Sequence, residues 1–273
     1  MIQLWKENHD VFDTRVYLRR LGHSGPAEPQ LDTLRQLHRN HLLTIPYDNS
    51  RFPDEGEALP GNLADLDPDA TFDKIVVRVA GGICFELNLL FQRLLDELGF
   101  NTMAVSAGVI QDQGMFSPDL SHKFIVVKLD GECWLADVGF SGPSYVEPLR
   151  LSPDVQPQHG CQFRVVEQDG RHTVLRRSRV GAWRPVYRFA LVERKLAEWD
   201  GFTERFEQFL DESVMASTTM MCRVSENGHH VLVGKRYLRV EDGNERFAAL
   251  IDPAEYQQTV DYILRPRTEK SGT

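Results

Sequence analysis

The chain of 273 residues is short of several things, and each shortage excludes something. No apolar run approaches the roughly 18 residues that a membrane-spanning helix needs. The first dozen residues carry no apolar signal core, so a cytoplasmic protein is expected. Basic residues do not dominate: 31 Lys and Arg stand against 40 Asp and Glu, a net charge of −9. That balance argues against a general nucleic-acid binder and against an anionic membrane surface. The four cysteines, Cys84, Cys133, Cys161 and Cys222, form no C-x-x-C pair, which disfavours a zinc knuckle or dithiol site. In a reducing compartment they are expected as free thiols, and no metal is expected. Internal repeats and low-complexity segments are missing too.

What is present centres on residues 78–99. Leu87, Leu90, Phe91, Leu94, Leu95 and Leu98 recur at helical spacing on one stripe, and Gly99 stands where a left-handed residue would close the helix. Gly81-Gly82 feeds Cys84 into the first turn of that helix. There it meets unpaired backbone N–H groups and the positive end of the helix dipole, a setting that can make a cysteine nucleophilic. The two glycines are expected to leave the sulfur open to a substrate. This stretch alone leaves a nucleophile and a packed thiol both open.

Helices are expected before it, over 8–21 and 31–43, the second ended by Pro46, with a polar loop over 51–70. After Gly99 the period changes to 2. Strands are expected over 102–110, 162–168, 172–180 and 184–189, then a helix over 189–212, a closing pair of strands at 220–225 and 229–240, and a helix over 253–264. His38 and His41 fall at i, i+3 on the second helix with no third ligand nearby.

Asp130-Gly131 between two β-rich runs is a hairpin signal. A two-residue loop pairs Leu129 with Glu132 and sets Phe124 opposite Asp137. His122 then shares a face with Phe124 and becomes a diagonal neighbour of Asp137, about 7–8 Å away along the backbone. An imidazole and a carboxylate span that gap. A carboxylate within the apolar run Trp134 to Val138 also needs a partner.

Taken together, the segment Ala80-Gly81-Gly82-Ile83-Cys84-Phe85-Glu86-Leu87-Asn88, the segment Asp137-Val138-Gly139-Phe140-Ser141, His122 ahead of its β run and Pro46-Tyr47-Asp48-Asn49 resemble the arylamine N-acetyltransferases, including their amide synthase relatives. The resemblance covers about residues 10–150 well. It implies an α+β fold: a helical bundle over 1–98 carrying the cysteine, a β-barrel over 99–190 carrying histidine and aspartate, and an α/β lid over 191–273. It implies a cysteine-protease-like Cys84–His122–Asp137 triad and acetyl-CoA as acyl donor, its thiol end passing the glycine loop that starts at Gly139. Tyr47, Asn88, Gly139 and Phe140 are expected among the substrate-binding residues. Two departures stand at the motif itself: Ala80 replaces the family's arginine and Ile83 its aromatic. A few residues are also inserted between Asn49 and Phe72.

The implied reaction moves an acyl group from acyl-CoA through an acyl-cysteine to a small amine or hydroxylamine, with ping-pong kinetics. The alternative is an amide synthase fed by an acyl carrier protein. A cysteine hydrolase and a binding protein that has kept an idle site are two further readings.

Overall fold

The structure is a computed structural model, and it describes residues 11–52, 54, 63, 66–111, 114–201 and 218–265. Among the described residues four helices come first: α1 (Thr14–Arg20), α2 (Leu31–Thr44), α3 (Pro68–Phe72), which runs on into a π turn at Asp73–Val77, and α4 (Cys84–Glu97). Asp13 caps α1 and Asp67 caps α3, each accepting from two backbone N–H groups of the first turn. Helix α4 is capped differently. Its N-cap is Ile83, whose side chain offers no acceptor to the N–H groups of the turn that begins with Cys84. Gly99 closes it in a left-handed conformation (φ 84°), as its position predicts.

Eight antiparallel strands follow as a nearly closed barrel. They are β2 (Asn101–Val109), β3 (His122–Leu129), β4 (Glu132–Ala136), β5 (Leu149–Arg150), β6 (Gln156–Gln158), β7 (Cys161–Gln168), β8 (Arg171–Arg177) and β9 (Arg184–Phe189). Their order is β5-β4-β3-β2-β9-β8-β7-β6. Val165 N–H donates to Ser152 O just past β5 at 2.9 Å, drawing the two ends together. The β3–β4 ladder has the expected register, Leu129 opposite Glu132 and Ile125 opposite Ala136, around Asp130-Gly131 with both φ positive.

The C-terminal part holds a second sheet, β1-β10-β11-β12-β13, built from Tyr47–Asp48, Met220–Ser225, Gly228–Val233, Arg236–Glu241 and Asn244–Ala249. Helix α5 (Pro253–Leu264) packs on it through Ile263. Three details differ from expectation. The stretch 229–240 is two strands, folded back at Gly234 (φ 54°), and a further strand follows Asp242-Gly243, the same left-handed turn pair as Asp130-Gly131. Tyr47–Asp48 leaves the helical region to pair with Cys222 and Met221. The helix expected over 189–212 does not form before Leu196. Arg194 N–H bonds Ala104 O of β2 at 2.8 Å, which holds the chain extended, and only Leu196–Trp199 makes a 3-10 turn. Residues 202–212 of that expectation, and most of the loop over 51–70, lie outside the described residues.

The principal core joins α4 to the helices and to one face of β3 and β4, through Leu87, Leu90, Phe91, Ile125, Val127 and Ala136. A second core fills the barrel around Phe124, Tyr145, Phe163, Tyr187 and Phe189. Among the described residues no helix is long and apolar enough to cross a membrane.

Several histidines are buried where they must stay neutral. Burial pushes His38 and His230 down to about 4 and His229 to about 3, and it holds His41 well below the usual range. These groups take up protons on unfolding below pH 6.5 but not in the fold. Stability is therefore expected to fall steeply as pH drops from 6.5 towards 4, by several protons per molecule at the steepest point. Urea unfolding at half-unit pH steps measures it. A flat profile over that range contradicts the buried neutral histidines.

Candidate active site

Helix α4, strand β3 and the end of β4 converge on one point. Cys84 is the first residue of α4 and is 4% exposed. His122 opens β3, and its Nε2–H donates to Asp137 Oδ2 at 2.7 Å. With Nε2 facing the carboxylate, Nδ1 is the nitrogen left for another partner. Burial alone would lower the imidazole's proton affinity. The Asp137 charge and hydrogen bond, helped by the Cys84 side chain lying against the ring, raise it to about 10. Asp137 is held below the ordinary carboxylate range despite burial, by His122, by Asn88 and by Gly139 N–H. The His122–Asp137 contact is the one that the hairpin register anticipates.

The four residues expected to bind substrate fare differently. Phe140 stands edge-on to the His122 ring at 5.6 Å, and with Tyr47 it lines a narrow crevice that also touches Leu42, Ile45, Ser144 and His229. Asn88 stands beside Asp137. It is fully buried and its amide is wholly engaged: Nδ2 donates to Lys123 O at 2.8 Å and to Asp137 Oδ1 at 3.0 Å, and Oδ1 accepts from Val138 N–H at 3.1 Å. It fixes the carboxylate. Gly139 lies close against the same helix. A Cβ there would lie 2.7 Å from Cys84 Cα, so its lack of a side chain lets the end of β4 press against the first turn of α4. The glycines before the cysteine also serve packing. A Cβ on Gly81 would meet Asp48 Cβ at 2.7 Å, and one on Gly82 would meet Ile75 Cδ1 at 2.7 Å.

Several contributors carry no signal in the sequence motifs. His38 lies under Asp137. Its Nδ1–H donates to Val146 O at 3.1 Å, and as a neutral ring its Nε2 accepts from Asp137 N–H at 3.1 Å. Its ring stacks on Tyr145. Lys123, next to His122, is buried over Trp199, and that burial pushes its amine down to about 8 against the pull of the Cys84 and Asp96 charges. Glu86 accepts from Ile83 N–H at 2.9 Å and faces two cations. The other cysteines are poor rivals: burial raises Cys161 and pushes Cys222 up to about 12. No group of three His, Cys, Asp or Glu side chains suited to a metal ion occurs among the described residues.

A model of the N-acetyltransferase family matches residues 30–265, so the chain belongs to the arylamine N-acetyltransferase family and is an acyltransferase. It is 37% identical to proansamycin X synthase of Amycolatopsis mediterranei, an amide synthase, over 93% of this chain and 98% of that relative. It is 30% identical to the arylamine N-acetyltransferase of Escherichia coli, over 90% of this chain and 92% of that one. Among solved structures, the Mycobacterium marinum arylamine N-acetyltransferase in complex with CoA superposes with a TM-score of 0.80 at 26% identity, covering 92% of this chain and 93% of that one. The Salmonella typhimurium enzyme superposes with a TM-score of 0.76 at 25% identity, covering 95% and 94%.

Proposed function

We propose that this protein forms amides by a ping-pong route through an acyl-cysteine at Cys84, with His122 carrying the proton and Asp137 fixing the ring. The observation that carries this is the His122 ring, held between the Asp137 carboxylate at 2.7 Å and the Cys84 side chain. The residue parts follow chain order: the helical part over 1–98 supplies the nucleophile, the barrel over 99–190 the histidine and aspartate, and 191–273 a cover.

The protons balance around the cycle. With its proton held on His122, the Cys84 sulfur attacks the donor's thioester carbonyl. The bond from the acyl carbon to the donor sulfur breaks, and that sulfur leaves with the proton from the imidazolium. His122 is then neutral and takes a proton from the amine as its nitrogen attacks the acyl-cysteine. The bond to Cys84 breaks, the amide departs, and the starting charges are restored. The backbone N–H of Cys84, at the start of α4, serves the oxygen of each tetrahedral intermediate.

The donor in this reading is acetyl-CoA and the acceptor a small amine. A specific observation favours a second reading, an amide synthase taking a larger acyl chain from a carrier protein. It is the similarity to proansamycin X synthase, which exceeds that to the Escherichia coli acetyltransferase.

Intact mass after brief incubation with acetyl-CoA, beside Cys84→Ala, tests both. One acetyl group on the wild type alone is the expected result. No adduct, with Cys84 still alkylated rapidly by iodoacetamide, removes acetyl-CoA as donor and selects the second reading. No adduct and sluggish alkylation overturns Cys84 as the nucleophile.

A further inference from the structure

Ala80 leaves the cysteine motif without the cation that the family pattern places there, yet Glu86, two residues after Cys84, is a buried carboxylate. An unpaired carboxylate there would be costly to bury and would repel negative charge on the neighbouring sulfur. The fold answers with two cations from separate segments. Arg51 Nη2 donates to Glu86 Oε1 at 2.8 Å and Lys74 Nζ donates to the same oxygen at 2.9 Å. The other oxygen, Oε2, accepts from Ile83 N–H at 2.9 Å, the last backbone group before Cys84.

The two cations reach Glu86 by different routes. Arg51 follows directly on the turn after β1, with its guanidinium also over the Phe52 ring at 4.4 Å. Lys74 lies in the π turn Asp73–Val77, a widened turn of the kind that gathers at functional sites. Lys74 O also accepts from Ala80 N–H at 3.2 Å, so this residue touches the cysteine loop at both ends. All three side chains are largely shielded: Glu86 is 4% exposed, Arg51 18% and Lys74 24% at the side chain.

We propose that Arg51 and Lys74 are positioning residues for Cys84: together they hold the Glu86 carboxylate on the Ile83 N–H and so fix the turn that presents the sulfur. The proposal rests on the reading of Cys84 as the reactive group. It has a built-in redundancy, since one cation suffices to neutralise one carboxylate. Single and double losses must therefore differ more than additively.

The test is the rate of iodoacetamide alkylation at Cys84, read by peptide mass, in five variants, with far-UV circular dichroism to check folding. Arg51→Met and Lys74→Met each slow it by less than about fivefold, because the other cation remains. The double variant slows it about a hundredfold, the scale on which a displacement near 1 Å acts. Adding Glu86→Gln to the double variant removes the uncompensated charge while keeping an oxygen for Ile83 N–H, and it restores the rate to within about tenfold of wild type. Arg51→Lys with Lys74→Arg keeps both charges and stays within about threefold.

A folded double variant that alkylates as fast as wild type overturns the proposal. So does a folded triple variant that stays slow. Should the double variant fail to fold, a triple variant that folds and reacts supports it. Alkylation needs neither donor nor acceptor. A wild type that alkylates at Cys84 but accepts no acyl group therefore defeats the functional reading while this one stands on its own results.

Discussion

Asp137→Asn is expected to lower kcat by about 10³- to 10⁴-fold with the fold retained, the scale seen when the carboxylate of such a triad is made an amide. The geometry says why. Oδ1 accepts from Asn88 Nδ2 and Gly139 N–H, and the asparagine oxygen can keep both bonds. The NH2 group then replaces Oδ2 and presents a hydrogen to His122 Nε2. The ring answers by placing its own proton on Nδ1, the nitrogen needed as acceptor on the other side. It also loses the negative charge that outweighs its burial, so it is neutral at pH 7. In the wild type, a proton affinity raised to about 10 adds stability that is full below pH 6.5 and is lost as pH rises through 10. Lys123 runs the other way, because the fold lowers its affinity from 10.5 to about 8, and stability recovers over that span. The variant should therefore lose the descending limb between pH 6.5 and 10 and keep the ascending one. Single-turnover kinetics and urea unfolding at pH 6.5, 8 and 10 check both parts. A variant within tenfold of wild-type kcat removes Asp137 from the mechanism.

Gly139→Ala is the second large effect. The new methyl would sit 2.7 Å from Cys84 Cα, 2.7 Å from Asn88 Nδ2 and 3.1 Å from Cys84 O. None of these is the loose end of a flexible chain. Either α4 or the end of β4 must move, at about 1–3 kcal/mol for the overpacking. In a chain of this size each kcal/mol lowers Tm by about 2–4 °C. The activity loss should be larger than the stability loss suggests, about 10²-fold or more, because the displaced atoms belong to Cys84 and to the amide that fixes Asp137. Gly142→Ala is the comparison. Its Cβ would meet the Phe140 ring edge at 3.1 Å, a side chain able to rotate away, so a milder loss is expected. Equal effects at the two positions would show that close approach at Gly139 does not place the sulfur.

Helix α4 and the histidine–aspartate pairing were legible because each rests on local rules. A leucine stripe sets the face of α4, and Asp130-Gly131 sets the β3–β4 register, which alone brings His122 diagonal to Asp137. Where tertiary contacts overrode local preference, the reading failed. Residues 190–195 have helical spacing, yet Arg194 bonds to β2 and the chain stays extended. The three-residue apolar step Val231 to Val233 hid the turn at Gly234. The supports of the site were invisible for a different reason. His38, Arg51 and Lys74 lie 46, 33 and 10 residues before Cys84, and nothing in their own neighbourhoods marks them as partners of Asp137 or Glu86. Asn88 and Gly139 both bond the Asp137 carboxylate, a matter of packing and orientation that spacing cannot distinguish from contact with a substrate.

Tyr47 forms a bridge to Gly82 on one side and pairs with Cys222 on the other, so a single two-residue strand laces the cysteine loop to the C-terminal sheet. Parts of this protein are thus not interchangeable along the chain's own divisions. A chimaera that imports the C-terminal segment of a relative to change acceptor or donor must bring the matching residues at 46–49 with it, or the foreign edge strand will meet a seam cut for another. Breeding new specificities from this scaffold is a matter of exchanging two distant pieces of sequence as one.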